Sequence, residues 1–449
     1  MKIGLEIHVQ LPTKSKLFCA CPTSGDDLPN SRVCPGCLGF PGFKPTLNRK
    51  AIEYGLALAK MFGCTIPEAS WFSRKTYFYP DLSRHYQGTQ FAAPIGSNGT
   101  YALGKKKIRI RRVHLEEDPG SIRRVGDGSA LIDYNRSGVP LVEIVTEPDL
   151  SSPAEARRFL ADMLRDVRRT LGMRDDGDRT VRCDCNISVG KERCEVKNVT
   201  GLRNVERCLQ YEAVRQTRVL KAGGVVERET RNYDEGRKIT TSARKKGYED
   251  DYGYIGEPDL GVFRPRAMAE SVCATEMSSD IVGRLVGDYG LDPKVAEQIV
   301  HTSCRMASLF TTVADATDTE TSRYWVMSVA SDHKDALDAI SDAEFGDVSV
   351  IAADLAVKQK AGEITDTECA IRMGCLLGGE DTPECSVARG NLEEIINRLI
   401  DENPGVLGDY AKNEKALNRI IGLAMRETRG AYSSSEVVLT AKKLVEARL

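Results

Sequence analysis

The sequence predicts an α+β fold: a cradle-like sheet domain over residues 1–272, a helical domain over 273–380 and a small helical tail over 381–449. Three observations predict it. Period-2 apolar alternation recurs through the first part of the chain, as in 3–11 and 181–189. Beyond about residue 272 the apolar period becomes that of amphipathic helices. A polar break, Gly378-Gly379-Glu380-Asp381-Thr382-Pro383, then sets off the last helices. At 449 residues the chain exceeds what one core supports, so two to three domains are expected.

The net charge of −2 shows no global basic surplus, so any RNA contact must rest on local patches. No run of 18 apolar residues is present, which excludes a transmembrane helix. The first residues already read as a charged strand, so no export signal is expected. Fourteen cysteines then read as reduced, cytoplasmic thiols, some of them candidate metal ligands.

In the first strand the odd positions from Ile3 to Leu11 are apolar, while Gly4, Glu6, His8 and Gln10 share the other face. A carboxylate beside an imidazole suits a metal site or acid–base chemistry; a solvated sheet face is the plainer alternative. Next come Cys19-Ala20-Cys21 and Cys34-Pro35-Gly36-Cys37, two close thiol pairs that suit a closed, structural zinc site. A helix follows over 47–61 and ends near Gly63. In the stretch from Ser73 to Arg84, Tyr77, Phe78 and Tyr79 stand beside Arg74, Lys75 and Arg84, a set able to stack on a base and hold phosphates. Gly99–Lys106 nearly spells a phosphate-binding P-loop, but Lys106 replaces the required Ser or Thr and a strand pattern follows, so that motif is rejected.

The strand over 107–115 ends in Glu116-Glu117-Asp118, three acids before a Pro-Gly turn. Another strand spans 141–147. Ser152-Pro153-Ala154-Glu155 then opens a helix with a capping box, buried through Phe159, Leu160, Met163, Leu164, Val167 and Leu171. Val181–Val189 repeats the first strand's alternation, with Asp184, Asn186 and Ser188 on one face, and hairpins into Cys194-Glu195-Val196-Lys197-Asn198. Alternation puts Cys183 and Cys185 in the core. Strand faces therefore carry Glu6, Glu116 or Glu117, Asp184 and Glu195; if these converge they require cations, and magnesium takes such oxygen ligands. In 229–260, Arg231, Arg244 and several tyrosines offer either a polyanion surface or an ordinary solvated one. Helices are expected over 279–290, 294–306, 348–361, 365–377, 391–401, 409–428 and 433–448. From Tyr410 onward eight Lys/Arg stand against four Asp/Glu, which suits either a small basic module for tRNA or a plain solvated helix bundle.

These stretches together resemble the B subunit of the aspartyl/glutamyl-tRNA amidotransferases. The resemblance runs through Gly4-Leu5-Glu6-Ile7-His8-Val9-Gln10, Tyr77-Phe78-Tyr79-Pro80-Asp81-Leu82, His114-Leu115-Glu116-Glu117-Asp118, Asp133–Leu141, Arg182-Cys183-Asp184 with Asn186, and Glu195-Val196-Lys197-Asn198. It implies a reaction: ATP phosphorylates the side-chain carboxylate of Asp or Glu misacylated on tRNA(Asn) or tRNA(Gln), and ammonia displaces the phosphate. It implies magnesium on Glu6, His8, Glu117, Asp184 and Glu195, with Glu116 close by, and nucleotide contacts from Lys75, Tyr77, Asn186 and Lys197. Structural zinc on Cys19, Cys21, Cys34 and Cys37 is expected, although family members differ at these cysteines. No amidase-type Ser–Ser–Lys site is visible in the sequence, so ammonia is expected from a partner, the amidase (A) subunit, with the small C subunit bracing the pair. The motif's usual Ala is Cys185 here. A non-catalytic zinc adaptor that only presents tRNA is the rival reading; it leaves the alternating acids without a purpose.

Overall fold

The computed structural model describes residues 1–126, 128–173, 181–245, 253–378, 391–410, 413–428, 432 and 434–448. It divides into two units, Met1–Ser279 and Asp280–Leu449. Among the described residues no helix is long and apolar enough to cross a membrane.

The first unit is built on an eleven-stranded sheet. Its first strand, β1 (Lys2–Gln10), buries Ile3, Leu5, Ile7 and Val9 completely or nearly so, as the alternation requires. Helix α1 (Arg49–Met61) starts where the Asn48 side chain accepts the Ala51 N–H at 3.2 Å. Short strands β2 (Ser70–Trp71), β3 (Ser73–Thr76) and β4 (Tyr86–Thr89) precede the hairpin of β5 (Gly96–Leu103) and β6 (Lys106–Glu117). The near-P-loop is this hairpin and its turn. A separate ribbon, β7 (Ser121–Arg124) with β8 (Ala130–Asp133), leads into β9 (Pro140–Thr146). Helix α2 (Pro153–Leu171) follows, then the hairpin β10 (Val181–Ser188) and β11 (Cys194–Thr200), helix α3 (Leu202–Lys221), β12 (Glu229–Asp234), β13 (Ile239–Lys245), β14 (Gly253–Gly256) and β15 (Val262–Phe263).

The strand order is β13-β12-β11-β10-β1-β9-β6-β4-β3-β14, with β5 on β6. All these pairings are antiparallel except β11 with β12. Thus β1, first in the chain, sits near the middle of the sheet. The helices cover one face, and that face carries the core. All six residues expected on the apolar side of α2 are buried. Its capping box is only half formed. Ser152 Oγ accepts the Glu155 N–H at 3.1 Å, but the Glu155 carboxylate turns to the Ser151 N–H (2.6 Å) and to Lys106 (2.8 Å). The Lys106 ammonium and the Ser151 N–H together draw the carboxylate away from the Ser152 N–H.

The second unit is helical. The expected helix over 294–306 is two helices, Pro293–Thr302 and Cys304–Ala316. Ser303 is extended between them, and its Oγ accepts the Arg305 N–H at 3.1 Å. Ser303 thus restarts a helix inside an unbroken apolar pattern. Asp342–Lys360 and Asp366–Gly378 complete a core around Leu285, Phe310, Trp325 and Met373. The single helix expected over 409–428 is instead Gly405–Tyr410 and Leu417–Glu427 with a 3-10 turn at Glu414–Ala416. With Leu392–Glu402 and Ser434–Glu446 these helices enclose a second, separate core. Most of the break expected at 378–383, and Tyr252, lie outside the described residues, as does the side chain of Arg244.

Candidate active site

The pairing of β10, β1, β9 and β6 builds the site. Residues directly opposite in an antiparallel pair point to the same face. Glu6 stands opposite Asp184, and His8 opposite Glu143, which in turn stands opposite His114. Two clusters result on the sheet face away from the helices. In one, ligand atoms of Glu6, Asp184 and Glu195 lie within 4.8 Å of one another; in the other, those of His8, Glu116 and Glu143 do.

In the first cluster the Asn186 amide donates to Glu6 Oε1 at 3.0 Å. Lys197 Nζ lies 2.8 Å from Asp184 and 3.2 Å from Glu195. A register shift between Cys183 and Cys185 lets the Asn198 N–H reach Asp184 Oδ1 at 2.7 Å. Burial raises the Glu6 carboxyl above the usual range, and the charges of Glu143, Asp184 and Glu195 push the same way. Crowding of this kind is relieved either by a proton on Glu6 or by a cation beside it. The Asn186 Oδ1 is buried without a hydrogen-bond partner. An all-oxygen set of this kind fits magnesium.

In the second cluster His8 Nδ1 lies 3.4 Å from Glu116, and His114 Nε2 lies 3.4 Å from Glu143. Burial opposes charge on His8, but the Glu116 hydrogen bond and the Glu143, Glu116 and Asp184 charges outweigh it and lift the imidazole to about 9. Burial likewise works against Lys75, yet Glu116, Tyr254 and Glu143 raise it above its ordinary value. Lys75, Arg182 and Lys197 bring positive charge to a cleft of about 130 Å³ that His8, Glu116 and Asp184 also line. A second cleft of about 210 Å³, lined by Gly4, Glu6, Asn186, Thr146, Arg111 and Arg193, opens along the same strands. Tyr77 lies just past β3, near enough to Lys75 to influence its charge.

The other expected phosphate contacts are committed elsewhere. Arg74 makes a bidentate pair with Glu257 at 2.7 Å in both bonds, and Arg84 pairs with Glu117. Arg231, expected at a polyanion surface, is nearly buried and pairs with Glu212 and Glu229.

The four loop cysteines do come together. Cys37 Sγ lies 3.4 Å from Cys19, 3.7 Å from Cys34 and 3.7 Å from Cys21. Zinc–sulfur bonds of about 2.3 Å in a tetrahedron require S···S separations of about 3.8 Å, so this loop fits zinc. The hydrogen bond from Cys19, with help from Lys16, lowers the Cys37 thiol to about 4, whereas burial pushes Cys21 up to about 12. Cys183, Cys185 and Cys194 are buried in the core of the first unit.

Residues 1–269 match the family model described as the GatB/GatE catalytic domain. The chain belongs to this family. Proteins named as the B subunit of aspartyl/glutamyl-tRNA(Asn/Gln) amidotransferase are similar over nearly the whole chain. The one from Methanoregula boonei is 39% identical over 97% of this chain and 96% of its own length. That from Methanospirillum hungatei is 37% identical over 100% and 98%, and that from Methanococcoides burtonii 36% identical over 98% of each. The site geometry is therefore read in the setting of a B subunit of the tRNA-dependent amidotransferases.

Two placements depart from the sequence reading. Glu117 lies in neither carboxylate cluster. Alternation turns it to the face opposite Glu116, where Arg84 and the Gly88 N–H (2.7 Å) hold its carboxylate. Glu143 belongs to the second cluster and His114 pairs with it at 3.4 Å, although neither is among the expected ligands. The available signal was a lone acid in the otherwise apolar run Leu141-Val142-Glu143-Ile144-Val145. A carboxylate is seldom buried in such a strand without a partner.

Proposed function

We propose that this chain houses the phosphorylation and amidation steps of a glutamine-dependent tRNA amidotransferase. ATP phosphorylates the side-chain carboxylate of Asp or Glu misacylated on tRNA(Asn) or tRNA(Gln). Ammonia from a partner amidase then displaces the phosphate. Support comes from two carboxylate clusters on one sheet face beside Lys75, Arg182 and Lys197.

In the first step a carboxylate oxygen of the aminoacyl side chain attacks the γ-phosphorus and ADP leaves. In the second, ammonia adds to the acyl carbon, the bond to the phosphate oxygen breaks, and the amide nitrogen loses a proton. Both steps gather negative charge, and phosphoryl transfer depends mainly on positioning and neutralisation. Lys75 and Lys197 supply fixed positive charge, and Asn186 has an acceptor oxygen to spare. Glu6, Asp184 and Glu195, with Glu116, Glu143 and a His8 that gives up its proton as the cation enters, would hold magnesium, which when bound would neutralise the transferring phosphoryl group. The Cys19, Cys21, Cys34 and Cys37 loop would hold zinc as a structural staple. The amidase and the small bracing protein of the same complex would be the partners, with the misacylated tRNA as substrate.

The adaptor reading leaves two buried acid clusters unexplained. Glu6→Gln in the assembled complex tests the choice. Amidation with free ammonia should fall by at least about a hundredfold while tRNA affinity stays within a factor of about two. Wild-type turnover at saturating magnesium would remove Glu6 from the chemistry, and with it this reading of the site.

A further inference from the structure

The Glu117 carboxylate occupies a socket shaped for it. Gly88 and Gly138 line it closely: a Cβ at Gly88 would lie 2.4 Å from the Phe18 ring and 3.2 Å from Glu117 Oε1, and one at Gly138 would lie 3.7 Å from Oε2. Gly138 also has φ +84°, which disfavours any side chain there. Arg84 enters from the other side, its guanidinium 5.8 Å from the Phe18 ring centre and 4.9 Å from that of Tyr86. The cysteine loop seats Arg84. Ser83 Oγ donates to the Cys37 carbonyl, and Gly39 (φ +74°) is packed so closely that a Cβ would lie 2.7 Å from the Ser83 carbonyl oxygen and 3.2 Å from Arg84 Cγ. Lys16, almost wholly buried, spans from Cys37 Sγ at 3.6 Å to the Tyr134 carbonyl at 3.1 Å. The Glu117 backbone is held as well, its carbonyl accepting from Gln87 Nε2 at 2.8 Å.

Glu117 is the last residue of β6, and the residues on either side of it face the site. Glu116 contacts His8, while Asp118 holds Arg182 and accepts from Gln10 Nε2 at 2.8 Å. We propose that Arg84 and Glu117 form a buried clasp, seated on the cysteine loop, that fixes the end of β6 and so positions Glu116 for a divalent cation at the His8–Glu116–Glu143 cluster. Glu117 is then a positioning residue and not a metal ligand. This rests on the reading that the cluster binds such a cation. A buried ion pair is replaceable by two apolar groups, whereas removing one partner strands the other charge.

The test uses Mn²⁺ as a paramagnetic probe on the full-length, zinc-loaded chain, with ¹⁴N coupling from the His8 imidazole reporting occupancy of this cluster. Arg84→Met and Glu117→Met should each weaken that binding at least about tenfold. The Arg84→Met/Glu117→Met double variant should return to within about threefold of wild type, because it restores a neutral, filled socket. Glu117→Gln, which keeps a hydrogen-bonding group for the Gly88 N–H, should fall between wild type and Glu117→Met and guards against loss of folding in the harsher variants. A double variant as weak as Glu117→Met would make Glu117 itself a ligand and overturn the clasp. So would unchanged binding in Glu117→Gln and both single Met variants. A wild-type chain with no ¹⁴N-coupled Mn²⁺ would instead sink the divalent-cation reading on which the clasp depends.

Discussion

Glu212 is fully buried on α3, and its carboxylate is held from four sides. Arg215 approaches to 2.8 Å, Arg231 to 3.1 Å and Gln216 to 3.1 Å, with the Thr240 hydroxyl closer still. Burial works to raise this acid, but the bonds from Arg215 and Thr240 win and hold it below the usual carboxylate value. A depressed folded value stabilises the fold above the unfolded value of about 4.3, and that gain disappears as pH falls through the folded value. Glu212→Ala should therefore cost about 3–5 kcal/mol at pH 7, because Arg231 and Arg215 lose a buried counter-charge. Denaturant titrations of both proteins at pH 7 and at about pH 4 should show the gap narrowing in acid. Glu143 offers a second case. Its acid stays well below the usual range because, although burial opposes it, His114, His8 and Lys75 surround it with positive charge. Glu143→Gln should lower magnesium affinity at least about tenfold with little change in tRNA binding, as calorimetry can show. Unaltered magnesium binding would leave Glu143 a structural partner of His114.

At the scale of elements, local chemistry explains the boundaries. The Ser152 cap and Pro153 start α2, and Gly172, at φ +63°, follows its last residue. The serine cap and the proline were legible in the sequence, and so were the faces of β1 and β10. The Ser303 restart was not, because its cue is a single serine inside an apolar run that also suits one longer helix. The cysteine loop was legible from spacing alone, since two close thiol pairs have few other uses. Elemental analysis of the purified chain should find about one zinc per molecule. Chelation should open the loop between Cys19 and Cys37 to proteases, since metal ligation can contribute on the order of 10 kcal/mol to ordering such a loop. A metal-free chain with the same protease resistance would show that the thiols pack without zinc.

For the whole molecule, the tail raises the main functional question. Its helices have their own core around Ile396, Ile420, Val437 and Val445. Part of its basic surplus is already engaged, since Lys443 lies 3.5 Å from Glu393 and Arg448 pairs with Asp401. Both pairs are substantially exposed, so salt weakens them and a polyanion can compete for them. Removing residues after about 380 should weaken tRNA binding and flatten its salt dependence, while ATP turnover largely survives. Affinities of full-length and truncated complexes at two salt concentrations decide this. Equal affinities and slopes would reduce the tail to a packing element. The sequence by itself determined the alternating faces of β1 and β10, where α1, α2 and several of the later helices begin, that four cysteines form a set, and the family, whereas α3 (Leu202–Lys221) became visible only in the structure. The tertiary structure decided which strands lie side by side and in what register. Period-2 alternation assigns a face but names no neighbour, because the cross-strand partner depends on pairings between residues more than a hundred positions apart. For that reason Glu143 joins His8 and Glu6 joins Asp184, whereas alternation within β6 alone sets Glu117 on the opposite side of the sheet from Glu116.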